Sequence, residues 1–358
     1  MSDFPFYNTK KLSIGKTYDL NDPVDRRKYF KDKMGDKIEE LKTYLDENTF
    51  VGFLVAKKSA GKGTYSKLFQ EVIGSERVAL VSVGDVIRKA HERALGDSEY
   101  KKELYAYLEE NYRSTMPLEE AFDAFINRSQ DKLIPTEFVL TLLKKEIDTI
   151  GRKGIFIDGF PRNFDQVSYS LYLRDLINYR DDPDFFVLID VPETVIDARI
   201  KARVVCPKCK TSRSVSLLPT KFIGYDAKED DYYLICDNKE CSGYKKQRLV
   251  AKEGDAAGIK SIRERLDRDG KLIEYTQEIY GIPKVLIRNT IPLDKADELV
   301  EDYEITPRYS YDGNEESGIE IKEEPWVTED DEGVKSVSLL AASTVLSMID
   351  QIHSILLG

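Results

Sequence analysis

Five short runs rich in β-branched and aromatic residues punctuate the chain, at 50–55, 79–83, 154–158, 185–190 and 284–287. Each has the length and composition of a buried strand. Between them, apolar residues recur at spacings of three and four over 64–73, 86–95, 137–150, 166–177, 194–203 and 259–279, which predicts helices with one apolar face. Strands alternating with helices predict parallel βαβ units, and so an α/β fold whose sheet is covered on both faces. Two stretches break the alternation: 88–132 has helical spacing without a strand, and 204–254 carries all four cysteines. Both are expected as insertions into the core. Residues 1–49 form an N-terminal extension with one amphipathic helix expected over 34–45, and 334–357 is expected as a terminal helix packed on the body or on a second subunit.

Composition narrows the class. In 358 residues, 41% are hydrophobic and 33% charged, enough for one large domain or two ordinary ones and too apolar for whole-chain disorder. The most apolar stretch, 333–349, falls short of the roughly 18–20 residues of a membrane span, and the first thirty residues hold no apolar run, so a cytoplasmic protein is expected. The net charge of −11 is local: residues 312–332 hold ten acids and one base, leaving 53 bases against 55 acids elsewhere. A nearly neutral body argues against a broad nucleic-acid-binding face. The acidic run predicts a solvated, mobile linker over 307–333, because like charges repel and little apolar surface is available to bury.

Candidate chemistry sits just after the strands. Lys57-Lys58-Ser59-Ala60-Gly61-Lys62-Gly63-Thr64 lies between the first strand and a helix, the setting in which successive amides and a lysine cradle phosphate. Ala56 stands where such loops usually begin with glycine, and can close the turn if its φ is negative. After the third strand comes Asp158-Gly159-Phe160-Pro161-Arg162-Asn163-Phe164-Asp165-Gln166. With Ser82-Val83-Gly84-Asp85-Val86-Ile87-Arg88, Lys132-Leu133-Ile134-Pro135, Asp190-Val191-Pro192, the pair Arg199 and Arg203, and Arg263-Glu264-Arg265-Leu266, this set resembles the signature motifs of adenylate kinases and their nucleoside-monophosphate kinase relatives over about 50–305.

The resemblance implies a three-layer P-loop kinase fold over 50–306, with a central parallel five-stranded sheet, a helical acceptor-binding insertion at 88–135 and a zinc-binding lid at 204–254. It implies reversible phosphoryl transfer from ATP, with magnesium, to a nucleoside monophosphate. Ser59, Ala60, Gly61, Lys62, Gly63 and Thr64 would hold ATP with Arg199. Val83, Arg88, Ile134, Gly159, Arg162 and Gln166 would hold the acceptor. Lys62, Arg88, Arg162, Arg199, Arg203 and Arg265 would neutralise the transferring group, and Asp158 would hold magnesium and its waters. Arginine suits this work because its planar fork grips phosphate bidentately.

The chain departs from the family pattern at several points. Val83 replaces a threonine; Asn163 and Asp165 are closer to pyrimidine-preferring relatives, although those usually carry Asn at the place of Gln166; and the Arg-x-Asp-Asp motif before Arg265 is represented by Lys252-Glu253-Gly254-Asp255, two residues further away. AMP is the expected acceptor, with a UMP/CMP-type kinase or a nucleotide-sensing protein without turnover as alternatives. Cys206, Cys209, Cys236 and Cys241 suit tetrahedral zinc. Free buried thiols, or a ribbon touching RNA through Lys245, Lys246 and Arg248, are the other readings of that module. No membrane or nucleic-acid partner is expected, and the protein is expected to be a monomer. His91 and His353 are read as ordinary helix residues.

Overall fold

A computed structural model of the chain describes residues 4–12, 14–127, 134–164, 166–169, 182–314 and 316–358. Lys132, Leu133, Asp165 and most of the expected helix at 166–177 lie outside them. Among the described residues no helix is long and apolar enough to cross a membrane.

In chain order the elements are α1 (Pro23–Glu47), β1 (Val51–Ala56), α2 (Lys62–Ile73), β2 (Val78–Ser82), α3 (Val83–Gly96), α4 (Ser98–Asn111), α5 (Leu118–Asn127), α6 (Thr136–Ile150), β3 (Gly154–Asp158), β4 (Asp184–Asp190) and α7 (Glu193–Lys201). The cysteine module follows with β5 (Arg203–Val205), β6 (Ser212–Ser214), β7 (Ile223–Asp226), β8 (Asp231–Leu234) and β9 (Val250–Ala251). Then come α8 (Arg263–Glu278), β10 (Lys284–Arg288), β11 (Thr290–Pro292), a two-turn helix (Leu293–Leu299), β12 (Pro307–Asn314), β13 (Gly318–Pro325), β14 (Val327–Glu329), β15 (Lys335–Ser338) and α9 (Ala341–Leu357).

The central sheet is five-stranded in the order β10-β4-β1-β3-β2, with every pairing parallel. All six residues of β1 are buried, as a strand covered on both faces requires. One face packs on α1, α2 and α9 through residues such as Phe30, Leu41, Phe69, Val345 and Ile349. The other packs on α3 to α6 through Val86, Leu104, Phe125, Phe138 and Leu143. The register aligns Leu54 and Ser82 with Asp158, and Ala56 with Ile189, so the carboxyl ends of β1, β2, β3 and β4 open on one edge. Ligands bind at that edge in sheets of this kind.

Both chain ends depart from the expectations. The N-terminal helix is longer than 34–45, starting at Pro23 behind an Asp22 cap whose carboxylate accepts from the amides of Val24 and Asp25. It is part of the core: Lys33 and Glu304, both with side chains 0% exposed, pair at 2.8 Å between α1 and the C-terminal half. The segment 307–333, expected as a mobile linker, instead forms strands. β12 and β13 make an antiparallel hairpin, and β14, β15 and β11 make a small sheet. The acids of β13 stay in solvent and Asp330 is buried, while Tyr309 and Tyr311 are half-buried against the cysteine module. There the Tyr309 amide donates to Ser216 O (2.8 Å), and Tyr232 Oη donates to Gly313 O (2.6 Å). Charge density alone had hidden these anchors. The terminal helix begins only at Ala341, since 335–338 is strand.

Candidate active site

The loop after β1 turns into α2 through two left-handed residues, Ser59 (φ 65°) and Gly61 (φ 104°). Ala56 is not among the residues at positive φ, so it closes the turn in a conformation any residue can adopt. A side chain at position 61 would be strained by its φ and would stand 3.2 Å from the Tyr65 ring, so glycine is required there. Lys62 folds back over the loop, its Nζ donating to Ala56 O at 2.8 Å. Burial pushes the Lys62 ammonium below its ordinary pKa, opposed by the charges of Asp158 and Asp269 and reinforced by Arg265 and Arg162.

A cleft of about 1480 Å³ opens above this loop, more than the roughly 300–1,000 Å³ that one small ligand usually occupies. Residues 59–64, Asp158, Gly159, Arg162, Arg199, Arg203 and Arg265 all line it. Val83, Arg88, Ile134 and Gln166 do not. Val83 is buried beneath the start of α3, and Ile134 packs on the same side of the core. Arg88 is exposed and held by Asp85 one turn earlier. It nevertheless lies beside the cleft: a side chain at Gly84 would stand 3.4 Å from Arg88 Nη1 and 3.7 Å from Arg162 Nη2. Gly159 (φ 90°) lets the same guanidinium pass, since a Cβ there would sit 2.9 Å from Arg162 Nη2. Gln166 is tied to Arg162 differently, its Oε1 accepting the Arg162 amide at 2.9 Å.

The electrostatics follow from this crowding. Burial first, then the nearby Arg265, push the Arg162 guanidinium down, with Asp158 and Asp269 opposing. Burial and the charges of Arg265, Lys252 and Arg203 likewise push Lys58 down. Many cations converging on one hollow make a ready anion site. Arg199 is steadied by Asn289, whose Oδ1 accepts its Nη2 at 3.2 Å, and by Ala60 O, which accepts its Nη1 at 3.4 Å. Arg203 is gripped bidentately by Asp255, at 2.6 and 2.7 Å, so the acid of the displaced lid motif partners an arginine of the site.

Sequence reasoning missed Asp269, Asn289, Lys57 and Asp331. Asp269 accepts the Lys58 amide at 2.9 Å and sits 3.8 Å from Arg265 Nε; its i,i+4 spacing from Arg265 was the available signal. Asn289 and Asp331 had none in local pattern, and Lys57, though inside the phosphate loop, had none for its pairing with Asp331.

In the cysteine module the four Sγ atoms lie within 4.8 Å of one another. Cys206 and Cys241 sulfurs are 3.9 Å apart and those of Cys209 and Cys236 3.7 Å. Metal–sulfur bonds of about 2.3 Å set tetrahedral edges near 3.8 Å, while a disulfide needs about 2.05 Å. The cluster fits a tetrahedral thiophilic metal.

No family model matches the chain. Among curated proteins, it is 28% identical over 243 residues to the adenylate kinase of Thermotoga petrophila, covering 66% of this chain and 89% of that one. It is 28% identical over 245 residues to that of Thermotoga neapolitana, and 27% over 239 residues to that of Clostridium tetani, covering 65% and 88%. The chain is similar to adenylate kinases over about two thirds of its length. Around the kinase core, α1 and α9 pack on the sheet, and Leu20, Asn21, Leu340 and Ala341 reach the cleft wall.

Proposed function

We propose that this protein transfers a phosphoryl group reversibly from ATP to a nucleoside monophosphate, with AMP as acceptor, giving two nucleoside diphosphates. The observation that carries the reading is the convergence of the left-handed loop, Lys62, Arg162 and Arg265 in one cleft wide enough for two nucleotides. Phosphoryl transfer needs neutralisation, alignment and dryness more than covalent work by the protein. The amides of residues 59–64 hold the donor phosphates, Lys62 neutralises the transferring group, and Arg199, Arg203 and Arg265 gather around it. Arg88 and Arg162 hold the acceptor phosphate, near Gly159. Asp158, at the end of β3, would hold magnesium and its waters, and the ion would supply positive charge that offsets the charge of the phosphates. The four cysteines would hold a structural zinc that makes residues 204–254 a rigid lid, over an acceptor-binding insertion at 88–135.

AMP rather than a pyrimidine nucleotide is favoured by the fate of Asn163: its Oδ1 accepts the Gln166 amide at 2.9 Å, so it caps a helix start instead of addressing a base. Gln166 Nε2 is 3.4 Å from Thr136 Oγ1 and retains donor capacity for the base. We further propose that the protein acts as a cytoplasmic monomer. A second reading, nucleotide binding without turnover, is favoured by the grip of Asp255 on Arg203. A coupled diphosphate-release assay with ATP against AMP, CMP, UMP, GMP and dTMP separates them. Turnover greatest with AMP is expected, and no diphosphate from any acceptor would sink the proposal.

A further inference from the structure

Lys57 immediately precedes Lys58 in the phosphate loop, yet its side chain turns away from the cleft. It is 6% exposed, and its Nζ meets Asp331 Oδ2 at 2.6 Å, with Glu193 Oε1 at 3.7 Å. Glu193 is engaged elsewhere, its other oxygen holding Arg263. Asp331 comes from the turn between β14 and β15, in the acidic segment beyond the kinase core. Its second oxygen accepts the Glu193 amide at 2.7 Å, one of the free N–H groups at the start of α7. That helix carries Arg199, and Arg203 follows its last turn. One carboxylate thus bridges the loop that would cradle ATP and the helix that presents two of the arginines.

Neighbouring contacts hold the turn in place. Asp330, beside Asp331, pairs with Arg288 at the end of β10 at 3.1 Å, with side chains 3% and 8% exposed, and accepts the amides of Glu332 and Val334. Thr328 Oγ1 donates to Thr194 Oγ1 at 3.1 Å. The turn is therefore built into the edge of the sheet where the strand ends open.

We propose that Asp331 is a positioning residue for the phosphate loop, supplied by the C-terminal segment and acting through Lys57 and the start of α7. This rests on the donor-site reading above. A buried ammonium that loses its close counter-charge is disfavoured, and without Asp331 Lys57 keeps only Glu193 at 3.7 Å, which Arg263 shares. Without Asp331, Lys57 would turn toward water and carry with it Ala56, whose carbonyl holds Lys62, and the left-handed turn at Ser59.

The test uses the full chain. Asp331→Ala removes both contacts; Asp331→Asn keeps an oxygen for the Glu193 amide but drops the charge; Lys57→Met removes the buried cation. Steady-state kinetics with ATP and AMP are read beside ATP binding by calorimetry and Tm. Asp331→Ala should raise the ATP KM and Kd roughly tenfold, with the AMP KM within about twofold, and Asp331→Asn should fall between it and wild type. Adding Lys57→Met to Asp331→Ala should cost nothing further, since the pair acts as a unit. A lower Tm with unchanged ATP KM and Kd would reduce Asp331 to a structural role and overturn the proposal, as would parallel changes in both KM values. Should Asp331→Ala not fold, Asp331→Asn and Lys57→Met decide by the same readouts. A wild type that binds ATP but yields no diphosphate would defeat the phosphotransferase reading alone, because the ATP Kd values still judge Asp331. A wild type that does not bind ATP would defeat both.

Discussion

Replacing Lys62 by methionine keeps most of the length of the side chain and deletes its charge. In the structure the ammonium lies over the phosphate loop, 2.8 Å from Ala56 O, and its lowered pKa reports the burial that strengthens its field toward a phosphate. A unit charge about 4 Å from a developing phosphate charge is worth about 4 kcal/mol at an effective dielectric constant of ~20. Losing one preorganised donor from an active site typically costs about 2.7–4 kcal/mol. Both routes give a fall in kcat of about 10²–10³-fold. The ATP KM should change less, because the loop amides and Gly61 remain in place. Stability should shift by about 1 kcal/mol or less: one hydrogen bond is lost, but a partly desolvated cation is removed as well. The assay is coupled diphosphate release from ATP and AMP, with a thermal melt on the same sample. A folded Lys62→Met protein keeping kcat within tenfold of wild type would refute the assignment of Lys62 to the transferring group.

Three further outcomes are expected. Chelation should remove one zinc per chain and expose residues 204–254 to protease before the core unfolds, since the small cluster around Leu234 and Leu249 is too little to stand alone; zinc-free protein with unaltered cleavage would count against a structural site. Glu304→Ala should destabilise the fold by about 3–5 kcal/mol, measured by urea unfolding, because it leaves buried Lys33 without its carboxylate and removes an acceptor for Tyr29 Oη at 2.6 Å; a loss below about 1 kcal/mol would show that the pair is dispensable. Burial pushes the Asp190 carboxyl from 3.8 up to about 6, with Arg288 and Lys57 opposing. The native state therefore holds that proton more tightly than the unfolded chain, so this contribution is present below pH ~4 and is lost as pH rises through ~6. Relative to Asp190→Asn, wild type should lose up to about 3 kcal/mol across that window, and parallel stability curves for the two proteins would exclude it.

Local pattern determined the sheet, because each central strand is buried on both faces and must be continuously apolar, and each crossover helix must bury a stripe. The five runs from 50–55 to 284–287 are the five strands of the sheet to within a residue or two at each end. The loop at 59–64 was legible for a related reason: an amide cradle needs glycine at position 61 and a lysine beside it, and both requirements are local. So was the cysteine cluster, whose ligands come as two close pairs. Tertiary structure alone decided the rest. Ten acids in 312–332 signalled disorder, because nothing in the segment announces that Tyr309 and Tyr311 will find the cysteine module or that Asp330 and Asp331 will find Arg288 and Lys57. Those partners are 42 to 274 residues away, and a carboxylate that pairs with a buried cation looks in sequence like one that faces water. The same holds for Glu304 and Lys33, and for Asn289 steadying Arg199. What a residue's neighbours along the chain demand of it can be read directly; what a distant buried charge demands becomes visible only when folding has removed the water from around it.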